Sequence, residues 1–443
     1  MMDLEEPSVT LWKSIADMKV CVIGGGFVGL TTAVVLCEQG HSILLVEKDL
    51  HRRNQLTSGI VPFYEPGLQD ALSQVTSQNL IKISDWQDLR DFQPEVIVVC
   101  GPTPSKMDGS IDLSMIIEIF DSIVDSRTNC RSIAIKSTVL PGTVSSISRY
   151  LAKEKFFEAE VAMVPEFLRE GTALADARHP DRIVIGASSQ SQLEQLQNVF
   201  SSKNVRIVST TPFNAEITKY ASNTFLATCI SFVNEFFSLF NSNPEFDLNS
   251  VLEGWHSDRR FSVFNEVAAV CNYLSPGFGF GGSCFPKDIR ATLALFDKDE
   301  LSRSILGAVY QRNSIVLDEM VEWLVLKLER EVPVLVAGLG FKEHTDDLRE
   351  SPSVIILERL RFLGYRVFWF DLYLDSSQPS LPCNAISTID GDVRYQVLLT
   401  NNDIQLRSEL YRNLNPLSEI YLLRYQDELP GFLCYKPRQP DKT

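Results

Sequence analysis

The 443-residue sequence lacks any apolar run close to the roughly 20 residues that cross a membrane. The segment from Met1 to Ala16 contains Asp3, Glu5 and Glu6 and no basic start followed by an apolar stretch, so we expect no secretion signal. Nine cysteines occur without a Cys-x-x-Cys pair. This spacing argues against a disulfide framework and a structural zinc site, and it favours a reducing, cytoplasmic compartment.

Positive charge is scarce, with 41 lysine and arginine residues against 57 aspartate and glutamate residues and a net charge of −16. Such a surface repels nucleic acid and anionic membranes, so we expect neither as a partner. A small anionic ligand stays compatible with it, because helix amino termini and a few local cations bind phosphate. Hydrophobic residues make up 44% of the chain, enough for two or three domains with their own cores.

Strand and helix patterns alternate in the first half of the chain. Residues 19–23 predict a buried strand, residues 30–39 predict a helix that ends at Gly40, and residues 43–47 predict a second strand. This order is the opening of a doubly wound α/β sheet. Further strands are predicted at residues 96–100, 132–136, 161–164 and 182–186.

One long helix is predicted from Asn214 to about Phe240, because apolar residues recur there at helical spacing without proline. Strand patterns return at residues 332–336 and 365–371, on either side of a helix at residues 352–363. We therefore predict an α/β fold with two Rossmann-like doubly wound domains joined by a long central helix and a helical middle domain. The helix carries an aromatic stripe, predicted to pack in a core or between subunits, of Phe225, Phe232, Phe236 and Phe237.

A G-x-G-x-x-G turn at residues 24–29 follows a strand and opens a helix, as in dinucleotide-binding turns. Glu47 lies 18 residues after Gly29, where a carboxylate binds the ribose hydroxyls. This carboxylate favours NAD because it repels a 2′-phosphate, whereas Arg52 and Arg53 keep NADP open. The expected cofactor-binding residues here are Gly24, Gly26, Phe27, Val28, Gly29 and Glu47.

A cysteine lies inside a glycine-rich run at residues 279–288, which reads Gly-Phe-Gly-Gly-Ser-Cys-Phe-Pro-Lys-Asp. The glycines let a substrate approach the backbone. Cys284, Lys287 and Asp288 supply a nucleophile, a cation and a base, and a nearby lysine favours the reactive thiolate. Most free cysteines are instead buried and inert. With a nicotinamide pocket in the same chain, the run predicts oxidation through a covalent thioester rather than simple alcohol oxidation.

Three further motifs follow predicted strands, where loops line the ligand crevice of an open α/β sheet. We expect Thr138 and Glu166 to face one pocket. Lys219 and Asn223 are four residues apart on the long helix and project from one face. Lys219 is either a solvated side chain or a cation that stabilises a developing oxyanion. The three motifs are Tyr64-Glu65-Pro66-Gly67-Leu68, Ser137-Thr138-Val139-Leu140-Pro141-Gly142-Thr143 and Pro165-Glu166-Phe167-Leu168-Arg169-Glu170-Gly171.

In this order, the motifs resemble those of the UDP-glucose/GDP-mannose dehydrogenase family. The resemblance extends from about Lys19 to Asp371. It is carried by the glycine turn and by residues 64–68, 137–143, 165–171, 219–235, 279–288, 340–342 and 346–352.

The resemblance implies a four-electron oxidation of the C6 alcohol of a nucleotide sugar to a carboxylate, with two NAD reduced in turn. It favours UDP-glucose as the substrate and UDP-glucuronate as the product. Cys284 would hold the aldehyde as a thiohemiacetal and then as a thioester. Residues 1–212 would bind NAD, residues 213–325 would carry the cysteine loop, and residues 326–443 would bind the nucleotide sugar.

The resemblance also implies roles for individual side chains and a homodimer as the assembly. Lys219 and Asn223 would stabilise the oxyanion. Asp288, Glu166 and Thr138 would transfer protons and position water, and Thr138 would also contact the cofactor together with Thr103. The implied substrate-binding residues are Glu166, Phe167, Leu168, Lys219, Asn223, Arg260, Tyr273, Phe280, Gly281, Lys342 and Arg424.

The sequence departs from the family pattern in two places. For this reason it decides neither the contacts to the nucleotide end of the substrate nor the identity of the sugar. The segment at residues 261–272, after Asp258-Arg259-Arg260, is longer than usual, and a Thr-x-Trp motif is replaced by Thr400-Asn401-Asn402. The alternatives are the same chemistry on GDP-mannose or another nucleotide sugar, a two-electron dehydrogenase with the same fold, and a non-catalytic nucleotide-binding regulator. The destination of the product, whether a surface polysaccharide or a glycoside, is also open.

Overall fold

The computed structural model describes residues 17–154, 159–201, 205–240, 243, 245–263, 266–296, 304–374, 385–386, 388–401, 403–423 and 434–435. The chain divides into two units, which are described separately. The first unit comprises residues 1–104 and 111–219, and the second comprises residues 105–110 and 220–443. In the described part of the chain, no helix is both long enough and apolar enough to cross a bilayer.

The first unit is built on an eight-stranded sheet with the order β3-β2-β1-β4-β5-β6-β7-β8. Strands β1 to β6 run parallel, whereas β7 pairs antiparallel with β6 through Met163 and Gly186, and β8 runs parallel to β7. The strands are β1 Lys19–Ile23, β2 Ser42–Val46, β3 Ile81–Ser84, β4 Val96–Val99, β5 Ser132–Ile135, β6 Glu160–Met163, β7 Arg182–Gly186 and β8 Arg206–Thr210.

Helices cover both faces of this sheet, and each face has its own apolar core. The central strands are buried almost completely, which explains their near-continuous runs of Val, Ile and Leu. The helices of this unit are α1 Phe27–Glu38, α2 Leu50–Thr57, α3 Leu68–Ser77, α4 Leu89–Phe92, α5 Ser114–Ser126, α6 Thr143–Lys153, α7 Ala173–Arg178 and α8 Gln190–Phe200.

A 29-residue helix, α9 Pro212–Phe240, follows β8, and the boundary between the two units falls inside it. The predicted long helix is thus confirmed. Of its aromatic stripe, Phe237 packs in a core with Leu248 and Leu252, whereas Phe225, Phe232 and Phe236 are exposed. The other helices of the middle region are α10 Leu248–His256, α11 Phe285–Leu293 and α12 Ile305–Lys327.

The second unit contains a five-stranded sheet with the order β12-β11-β13-β14-β15. Strands β11 to β14 are parallel and β15 is antiparallel, and the sheet order reverses direction at β11. The elements are β11 Val334–Ala337, α13 Pro352–Phe362, β12 Val367–Phe370, β13 Gln396–Leu399, α14 Ile404–Asn413, β14 Glu419–Leu422 and β15 Cys434–Tyr435.

These sheets confirm the predicted α/β class with Rossmann-type parallel strands. The first helix begins earlier than predicted, at Phe27 instead of Leu30, because Gly26 is its N-cap and the glycine turn itself opens the helix. The sequence patterns missed β3 and β8 in the first unit and β13, β14 and α14 in the second. Strands of four or five residues with polar positions give too few apolar alternations to be recognised.

Candidate functional site

The glycine turn lies between β1 and α1, at the point where the first sheet reverses its order between β1 and β4. Gly24 has a φ of 104°, and a Cβ there would lie 2.6 Å from the Cys100 carbonyl oxygen. A Cβ at Gly29 would lie 1.8 Å from the Gly24 carbonyl oxygen, whereas a Cβ at Gly26 would meet nothing within 4 Å. Two glycines are therefore required by packing, and the third leaves the helix amino terminus open to a pyrophosphate.

Glu47 directly follows β2 and is buried beside this turn. One carboxylate oxygen accepts the Gly25 N–H at 2.8 Å and the other accepts the Asp49 N–H at 2.8 Å. Arg52 contacts the same carboxylate at 3.3 Å, and the Arg53 guanidinium donates to the Glu47 carbonyl at 2.8 Å. The carboxylate is thus fixed at the turn, where it fits the ribose of NAD, and both arginines bind Glu47.

The loop after β5 carries Thr138 and is anchored to the loop after β4. The Ser137 hydroxyl donates to the Gly101 carbonyl at 2.6 Å, and Thr103 lies two residues beyond Gly101. Thr103 therefore follows β4, which flanks the sheet's crossover point, and Thr138 follows the neighbouring β5, at the edge where an open α/β sheet binds its ligand.

Glu166 and Lys219 form a buried ion pair in the first unit, with 2.7 Å between the carboxylate and the ammonium. The second carboxylate oxygen accepts the Leu168 N–H at 2.6 Å. The aromatic ring of Phe167 lies between two cations, 5.5 Å from the Lys219 ammonium and 4.0 Å from the Arg182 guanidinium. Lys219 is thus buried rather than solvated, and Glu166, Phe167 and Lys219 form one cluster.

A cavity of about 190 Å³ adjoins this cluster and is lined by Glu166, Phe167, Arg182 and Lys136, but not by Thr138. Lys136 was missed by the sequence patterns because it ends a predicted strand. Its ammonium lies 5.2 Å from the Phe200 ring. Burial lowers the pKa of Lys136, the negative charge of Glu166 opposes this shift, and the positive charge of Lys219 adds to it.

The cysteine loop of the second unit ends at the amino terminus of α11, where Cys284 is the N-cap residue. The Cys284 carbonyl accepts the Asp288 N–H at 2.9 Å, in the first turn of the helix. The thiol is partly exposed and lies 3.5 Å from the Ser283 hydroxyl. Pro286 lies in this first turn, where proline is favoured because its missing N–H would have no partner within the helix.

Asp288 is 1% exposed and lies one helical turn after Cys284. One carboxylate oxygen accepts the Asn223 side-chain amide at 2.6 Å, and the other accepts the Lys287 ammonium at 2.5 Å. The structure thus pairs Asn223 with Asp288, while Lys219 on the same helix pairs with Glu166. A buried carboxylate with two donors is held in place beside the cysteine turn.

The glycines of the cysteine loop bring its backbone against neighbouring segments of the same unit. The Gly282 N–H donates to the Arg349 carbonyl at 3.0 Å, and a Cβ at Gly281 would lie 2.2 Å from the Glu350 carbonyl oxygen. The backbone of Phe280 exchanges two hydrogen bonds with the Asn313 side chain, at 2.7 and 2.9 Å. The loop is therefore fixed on both sides of its glycines.

Aromatic rings surround the start of α11. The Phe285 ring lies 6.3 Å from the Tyr273 ring and 6.1 Å from the Phe280 ring. Tyr273 ends a short 3₁₀ helix, Ala269–Tyr273. This helix begins inside residues 261–272, the segment that is longer than the family pattern. Before that helix, the segment forms a two-stranded ladder of β9 Ser262–Val263 and β10 Glu266–Val267.

The remaining substrate-binding candidates lie in different parts of the second unit. Arg260 is exposed and forms a bidentate pair with Asp258, at 2.9 and 2.7 Å, which lowers the pKa of Asp258 to about 2. Lys342 follows β11 where the five-stranded sheet reverses its order, and its ammonium lies 5.7 Å from the Phe341 ring. Arg424 and Asn402 lie outside the described residues.

Three family models match this chain, and all three belong to one family. They are described as the NAD binding domain, the central domain and the UDP binding domain of the UDP-glucose/GDP-mannose dehydrogenase family, and they match residues 18–204, 213–314 and 335–420. A curated relative, the UDP-glucose 6-dehydrogenase of Rickettsia bellii, is 33% identical over 384 residues, 85% of this chain and 86% of its own.

Solved structures show the same fold. A UDP-glucose dehydrogenase from Pyrobaculum islandicum superposes with a TM-score of 0.79 at 29% identity, covering 94% of this chain and 96% of that one. A UDP-D-ManNAc dehydrogenase from Pyrococcus horikoshii superposes with a TM-score of 0.74, covering 92% and 95%; at 23% identity this likeness concerns the fold alone.

The matches cover the glycine turn, the Glu166 and Lys219 cluster, and the cysteine loop. The NAD binding domain of the family contains the turn whose geometry fits a pyrophosphate and a ribose, so NAD is the cofactor. The UDP binding domain contains the second Rossmann-type sheet, which fits a nucleotide-sugar substrate. The chain is therefore an NAD-dependent nucleotide-sugar dehydrogenase that belongs to the UDP-glucose/GDP-mannose dehydrogenase family.

Proposed function

We propose that the protein oxidises the C6 alcohol of UDP-glucose to the carboxylate of UDP-glucuronate, with Cys284 as the nucleophile. The observation that carries this proposal is the position of Cys284 at the amino terminus of α11, one turn before a buried Asp288 held by Asn223 and Lys287. A helix amino terminus stabilises a thiolate, and a fixed carboxylate is suited to proton transfer.

The reaction has two oxidative stages and one hydrolysis. NAD, which Glu47 and the amino terminus of α1 would hold, would supply the hydride acceptor for both oxidative stages. The alcohol first loses a hydride and a proton to give an aldehyde, and the Cys284 sulfur then adds to the carbonyl carbon to give a thiohemiacetal. Loss of a second hydride and proton gives a thioester, and water cleaves its C–S bond to release the carboxylate and the thiol.

The proposed proton-transfer and charge-stabilising roles follow from the observed pairs. Asp288, one helical turn after Cys284, is proposed to exchange protons in the reaction, and Asn223 donates a hydrogen bond to it. Lys219 supplies a buried positive charge for a developing oxyanion, and the carboxylate of Glu166, which holds this ammonium, is proposed as the second base. Thr138 is proposed to position water and contact the cofactor, together with Thr103.

Proposed sugar or nucleotide contacts occur in each unit. In the first unit, the proposed sugar contacts are Phe167 and Leu168, which follow Glu166 in the chain. Lys342, at the crossover point of the second sheet, suits a nucleotide diphosphate because it brings a cation to that crevice. In the second unit the other proposed contacts are Tyr273, Phe280, Gly281 and Arg260, whose guanidinium is exposed.

The test of the substrate is a panel of nucleotide sugars offered to the purified enzyme with NAD. We expect rapid turnover of UDP-glucose, two NADH formed for each sugar, and UDP-glucuronate as the product. Fast turnover of GDP-mannose with none of UDP-glucose would assign the enzyme to the second candidate substrate, which the family description also includes. One NADH and a released aldehyde would exclude the thioester route.

The test of the nucleophile is Cys284→Ser. We expect acid formation to fall by at least about 10³-fold, because a serine hydroxyl is a much weaker nucleophile, while NAD binding is retained. Cys37→Ser is the matched control, since Cys37 is buried and its thiol donates to the Leu80 carbonyl, which a hydroxyl can also do. Unchanged acid formation by Cys284→Ser would reject the assigned role.

We also propose that the protein works as a homodimer in a reducing compartment. Exposed aromatic rings on α9 support association, because large apolar side chains in contact with water form protein interfaces. In the part of the chain that the structure describes, seven cysteines form no disulfide, which suits the reducing environment that the proposed nucleophile requires. A non-catalytic regulator is disfavoured, because a chain released from catalysis need not keep Cys284, Asp288 and Asn223 together, with Asn223 bonded to Asp288.

A further inference from the structure

Two buried carboxylates of the first unit bind the backbone N–H groups of distant loops. Glu216, on α9, accepts the Gly142 N–H at 2.6 Å and the Val144 N–H at 2.8 Å, at the amino terminus of α6. Glu65 accepts the Gly171 N–H at 2.7 Å and the Leu174 N–H at 3.4 Å, at the start of α7. The carboxylates are only 1% and 5% exposed, so both are shielded from water.

These contacts differ from ordinary helix capping in their range along the chain. A usual capping side chain lies two or three residues before the N–H group that it accepts. Glu216 lies 72 and 74 residues from its donors, and Glu65 lies 106 and 109 residues from its donors. Neither helix has a side-chain cap of its own, since Gly142 and Thr172 at the N-cap positions make none.

Both carboxylates hold loops that carry proposed site residues. Glu216 fixes the end of the loop that contains Thr138, and it lies one helical turn before Lys219 on α9. Glu65 fixes the end of the loop that begins with Glu166. Since Lys219 and Glu166 are joined by their ion pair, these contacts link Thr138's loop and Glu166's loop through α9.

We propose that Glu216 and Glu65 are positioning residues, which set the two loops of the first unit on either side of Lys219. Glu216 orients the Thr138 loop, and Glu65 orients the loop of Glu166 and Phe167. This inference rests on the proposed function, because it assigns importance to the positions of Thr138 and Glu166. It also assigns a structural role to the Tyr64-Glu65-Pro66-Gly67-Leu68 motif, none of whose residues takes part in the proposed reaction.

The physical basis is the low tolerance of a reaction to misplaced groups. A shift of about 1 Å in a positioned group can lower a rate by about 10²-fold. Burial raises the pKa of Glu216, while the N–H groups of Val144, Gly142 and Thr143 lower it, so the ionised carboxylate depends on these donors. Without the carboxylate, the first turns of α6 and α7 lose their remote acceptors and the loops are free to shift.

The test compares Glu216→Ala and Glu65→Ala with Glu216→Gln and Glu65→Gln, which keep one acceptor oxygen. Ser189→Ala is the matched control, because Ser189 is a local N-cap of α8 in the same unit, where its hydroxyl accepts the Gln192 N–H at 3.1 Å. Each variant is measured for thermal unfolding, for amide hydrogen exchange at residues 138–144 and 166–174, and for kcat and KM with UDP-glucose and NAD.

We expect the two alanine variants to give different kinetic patterns. Glu216→Ala lowers kcat by about 10²-fold with little change in the KM for the sugar, because it moves the Thr138 loop. Glu65→Ala raises the KM for the sugar nucleotide and lowers kcat, because it moves both Phe167 and Glu166. Faster amide exchange is confined to the loop that each carboxylate holds, and the glutamine variants recover part of each loss.

A purely structural role would give another result. If both alanine variants lose activity only in proportion to the folded fraction, as Ser189→Ala does, and KM is unchanged in both, the proposal is wrong. If the wild-type enzyme oxidises no nucleotide sugar, the proposed function fails instead, and the amide exchange of the two loops still decides whether Glu216 and Glu65 hold them.

Discussion

The ion pair of Glu166 and Lys219 shows how single residues prepare this site. Both side chains are less than one tenth exposed, so neither charge is solvated by water. A buried charge is stable only when it is paired, and its partner then sets where it lies. A lysine held in this way presents a fixed positive charge for a negative oxygen, with little reorganisation at the moment of reaction.

A double-mutant cycle separates the stability of this pair from its role in the reaction. We expect Lys219→Met and Glu166→Gln each to destabilise the fold, Lys219→Met by about 3–5 kcal/mol, because it leaves an uncompensated buried carboxylate. The double variant should recover most of the free energy of unfolding but none of the activity. Denaturant unfolding and steady-state kinetics provide the two measurements, and recovered activity in the double variant would contradict the role of Lys219.

The thiols of the described cysteines differ in accessibility. Burial raises the pKa of Cys37 to about 12, and it has the same effect on Cys130. Their folded-state thiolates therefore form only well above neutral pH. Cys284 is partly exposed at the amino terminus of a helix, so these side chains should react at very different rates.

Alkylation of the native protein at pH 8 tests this difference. We expect iodoacetamide to modify Cys284 well before Cys37 or Cys130, and NAD with the nucleotide sugar to slow the modification. Peptide mass spectrometry measures the order of reaction, and the unfolded chain, in which all three thiols react, is the control. Equal protection of Cys284 and Cys37 in the native protein would show that the proposed nucleophile is not accessible.

Sequence patterns identify some residues of the site and miss others for a definite reason. Cys284 and Asp288 are four residues apart in one helix, so their proximity follows from helical geometry alone. The pairing of Lys219 with Glu166 joins residues of different elements, and only the folded sheet determines it. Glu216 and Lys136 carry no local motif, and their importance emerges from contacts that the chain makes after folding.

The turn between β1 and α1 is the element whose geometry depends most closely on glycine. A side chain at Gly29 would collide with the Gly24 carbonyl, whereas one at Gly26 would meet only open space. Gly29 is therefore required by the fold of the apoprotein. The fold of the apoprotein tolerates a side chain at Gly26. Only the close approach of a bound cofactor would require a glycine at this position.

Alanine substitutions at these glycines separate the two requirements. We expect Gly29→Ala to destabilise the protein by about 1–3 kcal/mol through overpacking. Gly26→Ala should keep its Tm and raise the KM for NAD, because a methyl group there obstructs the pyrophosphate. Gly254→Ala, at a helical glycine of α10 with open space around it, is the control. A normal KM for NAD in Gly26→Ala would contradict the assigned cofactor position.

Elements were predictable from sequence where one local signal dominates. The strands β1 and β7 were predicted at their observed bounds, since each is a short apolar run ending next to glycine or polar residues. In contrast, β3 reads Ile-Lys-Ile-Ser and lies at the edge of its sheet, so a four-residue alternation is its only signal. Edge strands are stabilised by pairing with a neighbour, which the sequence alone does not reveal.

At the scale of the whole molecule, the exposed aromatic rings of α9 are the strongest sign of an assembly. Phe232 and Phe236 stack at 6.3 Å, and Trp255 of α10 meets Phe232 at 6.0 Å. Phe225 is 58% exposed on the same helix. Large rings that remain in water after the chain has folded are expected to be buried by a second copy.

Charge substitutions on this face test the expected dimer. The double variant Phe225→Asp and Phe232→Asp should convert the wild-type dimer to a monomer, because two buried carboxylates would be left without partners. Sedimentation velocity measures the change. Phe362→Asp is the control, since Phe362 is 91% exposed on α13 and lies away from α9 in the sequence. A monomeric wild-type protein would contradict the expectation.

The α/β class was predictable for the whole chain because alternating strands and helices and the glycine turn are local signals. The crossover in the second sheet between β11 and β13 was not, because β13 and β14 were missed. The part of the chain after Asp371 carries the fewest sequence motifs.

The cysteine loop and the loop after β11 are bound to each other by more than one contact. The Gly282 N–H meets the Arg349 carbonyl, and Arg290 forms a salt bridge with Glu350. Anyone building a chimaera that borrows the nucleotide-sugar domain of a related enzyme must therefore transplant residues 279–290 together with residues 340–352. A junction placed between these two stretches would combine the native cysteine loop with a foreign supporting loop, and we expect such a hybrid to lose the alignment of the proposed nucleophile.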